Sequence, residues 1–224
     1  MRRAQLKIER ENLRKTLENR EGITYQSNIS FDSVDNMKCI EESTILSVEN
    51  CKLVCFDLET SGRRKDADVL QIAAKVDENI FSIYIEPTQT IDNEASQVNG
   101  LENIDGELFL NGEKLLTVSM REALQAFYEF LSKFTKGSLL IAHNAIFDIT
   151  FLVREIKKYS LVDEFKKIIY GFSDSLKLFR KKLSDRKGPG MFTLAKLAED
   201  FLKNDSFEMN FHEATFDVIV LEKL

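Results

Sequence analysis

The chain has 224 residues, 43% of them hydrophobic and 30% charged, and a formal net charge of −6. That is enough apolar sequence for one full core, while no run of about 18 apolar residues exists to span a membrane. The negative total argues against a broad basic surface coating a duplex, and Cys39, Cys51 and Cys55, without CxxC pairs, exclude a zinc ribbon and point to reduced thiols in an intracellular protein, of nucleus or cytoplasm.

Residues 1–20, "MRRAQLKIERENLRKTLENR", carry 7 basic and 3 acidic side chains and lack the apolar centre of a signal peptide. They predict a mostly polar helix, and the irregular, Asn/Ser/Asp/Glu-rich stretch to residue 50 predicts a linker. The expected organisation is therefore residues 1–50 as an N-terminal helix and linker, and 51–224 as one domain. "KLVCFDL" (Lys52–Leu58), "VLQIAAKV" (Val69–Val76) and "FSIYIEP" (Phe81–Pro87) read as strands separated by turn-rich segments. "VNGL" and "LFLNGEKL" predict a loop and a small hairpin. Met120, Leu124, Phe127, Leu131 and Phe134 recur at helical spacing.

"SLLIA" (Ser138–Ala142) predicts a short buried strand, followed by a helix over "NAIFDITFLVREIKKY" with Asn144 placed as its N-cap. Three further helices are expected near 173–183, 193–202 and 213–224. Strands first, then strand–helix alternation, predict an α/β fold with a mixed β-sheet flanked by helices. From Arg154 to Lys187 there are 11 basic residues against 5 acidic ones, a local hint of a phosphate-backbone partner.

Asp57 and Glu59 stand two residues apart on the first strand, so both carboxylates share one face while Phe56 and Leu58 take the other. Like charges at the edge of a core are costly unless something positive lies between them. Asp148 sits one turn into its helix on an otherwise apolar stretch. His212 and Asp217 are five residues apart, which on a helix is about 140° round the axis. His212 therefore belongs on the loop before the last helix, as a mobile base beside a fixed ligand. Four carboxylates on apolar elements call for hard divalent cations with oxygen ligands. Two such ions about 4 Å apart can clamp the attacking and leaving oxygens of a phosphoryl displacement.

"FDLETSG", "HNAIFD" and "HEATFD" resemble the three motifs of the DEDDh family of 3′–5′ exonucleases, which have an RNase H-like fold. All five signature positions are present: Asp57, Glu59, Asp148, His212 and Asp217. "SDSLKLFRKKL" and "FTLAKLAEDFL" resemble the helices between the second and third motifs. Within the family, "DGELFLNGEKLLTVSMREALQAFYEFL" is most similar to the exonuclease-like region of the long promyelocytic leukaemia protein isoforms. The three-prime repair exonucleases are similar too, although their proline-rich insertion is absent.

The resemblance implies hydrolysis of terminal phosphodiesters from a free 3′ end, with DNA favoured over RNA, releasing nucleoside 5′-monophosphates. It implies two Mg²⁺ or Mn²⁺ ions held by Asp57, Glu59, Asp148 and Asp217, and His212 as general base. It also implies contacts to the last nucleotide from Thr60, the backbone near Ser61 and Gly62, and Leu101 of "ASQVNGL" as a wedge. Asn144 is a second candidate contact, and His143 reads as structural. The competing expectations are an exonuclease-like domain that binds or scaffolds without hydrolysis, and an RNA exonuclease.

Overall fold

The computed structural model describes residues 51–202 and 212–224; the expected helix and linker over 1–50 lie outside the described residues. Strands β1 (Lys52–Thr60), β2 (Val69–Val76) and β3 (Asn79–Ile85) form an antiparallel meander. The first runs to Thr60 rather than Leu58, and the third sits two residues earlier than its apolar pattern predicts. β8 (Ser138–Ala142) adds parallel to β1, β9 (Ile169–Asp174) adds parallel to β8, and the two-residue β7 (Thr117–Val118) pairs parallel to β3. The result is a six-stranded mixed sheet in the order β7-β3-β2-β1-β8-β9. Helices flank it on both faces, as expected.

Alternation along β1 decides what each face meets. Val54, Phe56 and Leu58 enter the main core with Ile72 and Ala74 of β2. Helix α2 (Met120–Ser132) contributes Leu124, Phe127 and Leu131, helix α3 (Ile146–Lys158) contributes Phe151 and Leu152, and helix α4 (Val162–Ile168) contributes Phe165. Fully burying a side chain such as Phe127 is worth about 1.5–3 kcal/mol. A capping box starts α2, with the Ser119 hydroxyl accepting the Glu122 N–H and the Glu122 carboxylate accepting the Ser119 N–H. On the opposite face, Cys55 and Ala73 meet Ala214, Val218 and Leu221 of helix α7 (Ala214–Lys223). The small Ala73 and Ala214 let that helix approach closely. It lies on the face to which Asp57 and Glu59 belong.

Three sequence expectations need correction. The hairpin expected over "LFLNGEKL" forms as β5 (Glu107–Leu110) and β6 (Glu113–Lys114), but the segment before it, read as a loop, is a helix, α1 (Asn93–Asn99), and a strand, β4 (Leu101–Ile104), that pairs with β5 to complete a three-stranded antiparallel sheet. α4 and β9 were not anticipated, because "VDEFKKIIYGFSD" has no clean period and its strand is specified by pairing with β8. The helices expected near 173–183 and 193–202 form as α5 (Ser175–Lys182) and α6 (Leu194–Phe201), within two residues of those bounds. Finally, Asn144 does not cap α3. Its φ of 66° is left-handed, whereas an N-cap needs extended backbone, and the cap position falls to Ala145 without a side-chain bond.

Candidate metal centre

β1 delivers Asp57 and Glu59 to the α7 face, and a bulge between Glu59 and Thr60 bends the strand directly beyond them. α7 brings Asp217 from above. One carboxylate oxygen from each of Asp57, Glu59 and Asp217 lies within 4.8 Å of the others. Asp148 arrives from the opposite side, in the first turn of α3, where it is 4% exposed and its Oδ1 accepts the Leu58 N–H at 3.1 Å. It is an electrostatic neighbour of Asp57 and Asp217 but not one of the three that converge within 4.8 Å.

The charges are held in a dry and mutually repulsive setting. Burial, then the Asp148, Asp217 and Glu59 carboxylates, push Asp57 well above the usual carboxylate range. Glu59 is raised well above it by burial and Asp217, and the Asn99 amide opposes that rise. Burial raises Asp148 to about 8, against the two backbone N–H groups that its carboxylate accepts, its own and that of Leu58. Asp217 rises to about 7 through burial. Asp217 Oδ1 is buried with no hydrogen-bond partner among the described residues. Three converging carboxylates with such an orphaned oxygen are a donor set matched to a hard divalent cation.

His212 stands on the turn two residues before α7, with φ 74° and its backbone N–H donating to Asp217 Oδ2 at 3.3 Å. Its imidazole is solvent-exposed and makes no hydrogen bond among the described residues. Partial desolvation, and then the Arg63 charge, hold it below the ordinary histidine value. His143 is different: Nε2 meets the Phe192 carbonyl at 2.7 Å and Nδ1 meets the Ser175 hydroxyl at 3.0 Å, a structural role as expected.

The expected substrate contacts fare unevenly. Leu101, the first residue of β4, is 1% exposed and packs with Leu108 of β5 and Leu70 of β2, so it has no free surface with which to wedge a nucleotide. Thr60 is buried and its hydroxyl donates to the Gly62 carbonyl at 2.7 Å. Ser61 is buried too, with its N–H donating to the Asp68 carbonyl and its hydroxyl accepting the Asp68 N–H. A Cβ at Gly62 would overlap the carboxylate of exposed Asp92, which would have to swing aside. These residues shape the rim next to Glu59. The Asn144 N–H is held by the Asp174 carboxylate at 3.1 Å, while its side chain makes no bond among the described residues.

Several supporting residues escaped the sequence reading. Asn99 Nδ2 donates to Glu59 Oε2 at 3.3 Å, and the residue lies within the quoted "VNGL". Gln71, 1% exposed and opposite Glu59 in the β1–β2 register, anchors the start of α7. Its Nε2 donates to Glu213 Oε1 at 2.7 Å and to Thr215 Oγ1 at 3.1 Å, and its Oε1 accepts the Ala214 N–H. Glu213 in turn caps α7 by accepting the Thr215 and Phe216 N–H groups. A lone Gln inside "VLQIAAKV" is the available signal, because a polar side chain on a central strand must have a buried partner.

Comparison with known proteins bears on this geometry. The Exuperantia RNAse H-like domain profile matches residues 51–199. The maternal protein exuperantia of Drosophila virilis is 24% identical over 208 residues, covering 83% of this chain and 43% of that protein. The DNA polymerase III subunit epsilon of Buchnera aphidicola subsp. Acyrthosiphon pisum is 29% identical over 152 residues, 65% of this chain and 54% of that one. The chain thus spans about half or less of these relatives. Among solved structures, exonuclease X in complex with 5′ overhanging duplex DNA superposes with a TM-score of 0.52 at 17% identity, over 75% of this chain and 86% of that one. The fold is RNase H-like, as the motif resemblance implied.

Proposed function

The chain belongs to the Exuperantia RNAse H-like domain family, and from that premise we propose that it is a metal-dependent 3′–5′ exonuclease acting on DNA ends or single strands. The observation that carries the reading is the convergence of Asp57, Glu59 and Asp217 within 4.8 Å, with Asp217 Oδ1 unpartnered among the described residues and Asp148 beside them. These four residues would hold two Mg²⁺ or Mn²⁺ ions. Bound there, such ions supply charge neutralisation of the phosphate and a more acidic water.

His212 takes the proton of the attacking water. Its exposed, unbonded imidazole at the mouth of the site, kept neutral at physiological pH, suits that task. The water oxygen adds to the terminal phosphorus, the P–O3′ bond breaks, and the last nucleotide leaves as its 5′-monophosphate. Asn99 orients Glu59, and the Gln71–Glu213 clamp fixes α7 so that Asp217 meets the β1 acids. Asn144, with its side chain unengaged, remains the candidate substrate contact on the rim. The preference for DNA is supported by the names of the polymerase subunit and exonuclease relatives.

The finer likeness of "DGELFLNGEKLLTVSMREALQAFYEFL" to promyelocytic leukaemia protein isoforms and three-prime repair exonucleases remains a proposal beside the family assignment. So does treating residues 51–224 as one catalytic domain, with 1–50 outside it. A second reading, binding without hydrolysis, draws support from the maternal-protein relative, whose name specifies no nuclease. Digestion of matched 5′-labelled and 3′-labelled DNA and RNA oligonucleotides in Mg²⁺ decides between them, with Asp148→Asn alongside. A 5′-labelled ladder shortening from the 3′ end, lost in the variant, is the expected result. Intact substrate under both Mg²⁺ and Mn²⁺ selects the binding domain instead.

A further inference from the structure

The basic excess between Arg154 and Lys187 resolves into two populations. Arg154 is committed to the Lys65 and Ala67 carbonyls and to Glu155, Lys158 pairs with Glu155, and Arg186 pairs with Asp200. On α5, by contrast, Lys177, Arg180 and Lys181 are exposed and make no ion pair among the described residues. At i, i+3 and i+4 they share one helix face. Leu176, Phe179 and Leu183 are less exposed and form the packing side.

Position gives this stripe its meaning. α5 begins beside Asp148: the charge of its N-cap Asp174 bears on that carboxylate, while Asp174 also holds the Asn144 N–H and Ser175 meets the His143 ring. One turn on, the Phe179 ring lies 6.5 Å from that of His143. Arg180 is close enough for its charge to bear on the same imidazole. Helix-dipole compensation accounts for cations in the last turn, but not for Lys177 in the first. Three unpaired cations leading from a carboxylate centre, on a chain of net charge −6, are complementary to a polyanion whose end occupies that centre.

We propose that the Lys177–Arg180–Lys181 face of α5 is the track for the phosphodiester backbone of a single strand whose 3′ end lies at the metal centre. The proposal rests on the nucleic-acid reading above. DNA and RNA share that backbone chemistry, so the test carries both.

The test is fluorescence anisotropy with end-labelled oligo-dT and oligo-U, in EDTA so that nothing is cleaved, across a salt series. The full chain is compared with K177A/R180A/K181A and with K166A/K167A, exposed lysines on α4 that are also without ion pairs among the described residues. Each lost phosphate contact should lower the log–log salt slope by about 0.7, for a total near ~2, with binding weakened roughly tenfold or more at low salt. The α4 variant should keep the wild-type slope. A slope unchanged in the α5 variant, or lowered as much in the α4 one, overturns the track. A larger loss for oligo-dT than for oligo-U, or the reverse, tells which of the two nucleic acids the path prefers. Wild-type hydrolysis of the nitrophenyl ester of thymidine 5′-monophosphate in Mn²⁺ reads the exonuclease separately. Its absence with the α5 slope effect intact sinks the enzyme and keeps the track; its presence with no slope effect does the opposite.

Discussion

Asp148 is 4% exposed, accepts the Leu58 N–H, and is raised from 3.8 to about 8 by burial. Asp148→Asn keeps the acceptor for Leu58 and removes the ionisable group, so in metal-free protein it should stabilise the fold. A carboxyl that binds its proton more tightly in the folded state favours folding most at low pH, and that advantage is lost as pH rises from about 4 to about 8. At about 1.4 kcal/mol per tenfold change in proton affinity, folding with a carboxyl that must take up a proton costs at most about 4 kcal/mol at pH 7 and roughly 2 at pH 5. Imperfect pairing of the new amide reduces the gain, so about half the ceiling is expected, or ~4–8 °C in Tm for a chain of this size at pH 7. Thermal unfolding in EDTA at several pH values reads it: the variant melts higher, and the gap narrows towards pH 5. Saturating Mg²⁺ should reverse the order, because about 100-fold excess over Kd adds about 2.7 kcal/mol to the form that binds it. A gap independent of pH, or a variant less stable throughout, would refute an uncompensated carboxylate at this position.

His212→Ala should lower kcat far more than substrate affinity, and should remove the acid limb of the pH–rate profile. In wild type that limb lies below the ordinary histidine value of 6.5, because the depressed imidazole loses its proton earlier; equal losses in kcat and binding would count against a base. Chelation should abolish hydrolysis and Mg²⁺ or Mn²⁺ should restore it, so cleavage persisting in excess chelator excludes the metal mechanism. Gln71→Leu should cost about 1–3 kcal/mol by stranding the Ala214 N–H and Glu213, and should weaken Mg²⁺ binding by about 10–100-fold in calorimetry. Leu101→Ala should destabilise by about 2–5 kcal/mol through a cavity, with KM for a terminal nucleotide unchanged; a large KM effect would return Leu101 to the substrate.

Elements with their own period were legible without coordinates. Val69–Val76 and Ser138–Ala142 form strands with the bounds read from the chain, and the Met120–Leu131 stripe forms α2. The pairing of Asp57 with Glu59, and the loop position of His212, follow from alternation and helical angle, which are local properties. Asn144 and Leu101 show where locality fails. Asn is a good cap in isolation, but the turn between β8 and α3 twists its backbone to φ 66° and hands its N–H to Asp174, thirty residues on. Leu101, a wedge by motif resemblance, is buried once the small sheet packs Leu101 and Leu108 onto Leu70 of β2.

The four acids and the histidine were thus legible in the sequence alone, as residue types at spacings that resemble an exonuclease motif set. Which three carboxylates converge, how Gln71 and Glu213 seat α7, and which basic residues remain unpaired were decided by tertiary structure. Those properties depend on contacts across β1, β2, α3 and α7, between residues some 90 to 140 positions apart. No local pattern encodes a distance between elements; only the sheet register and the close approach of α7 over Ala73 create it.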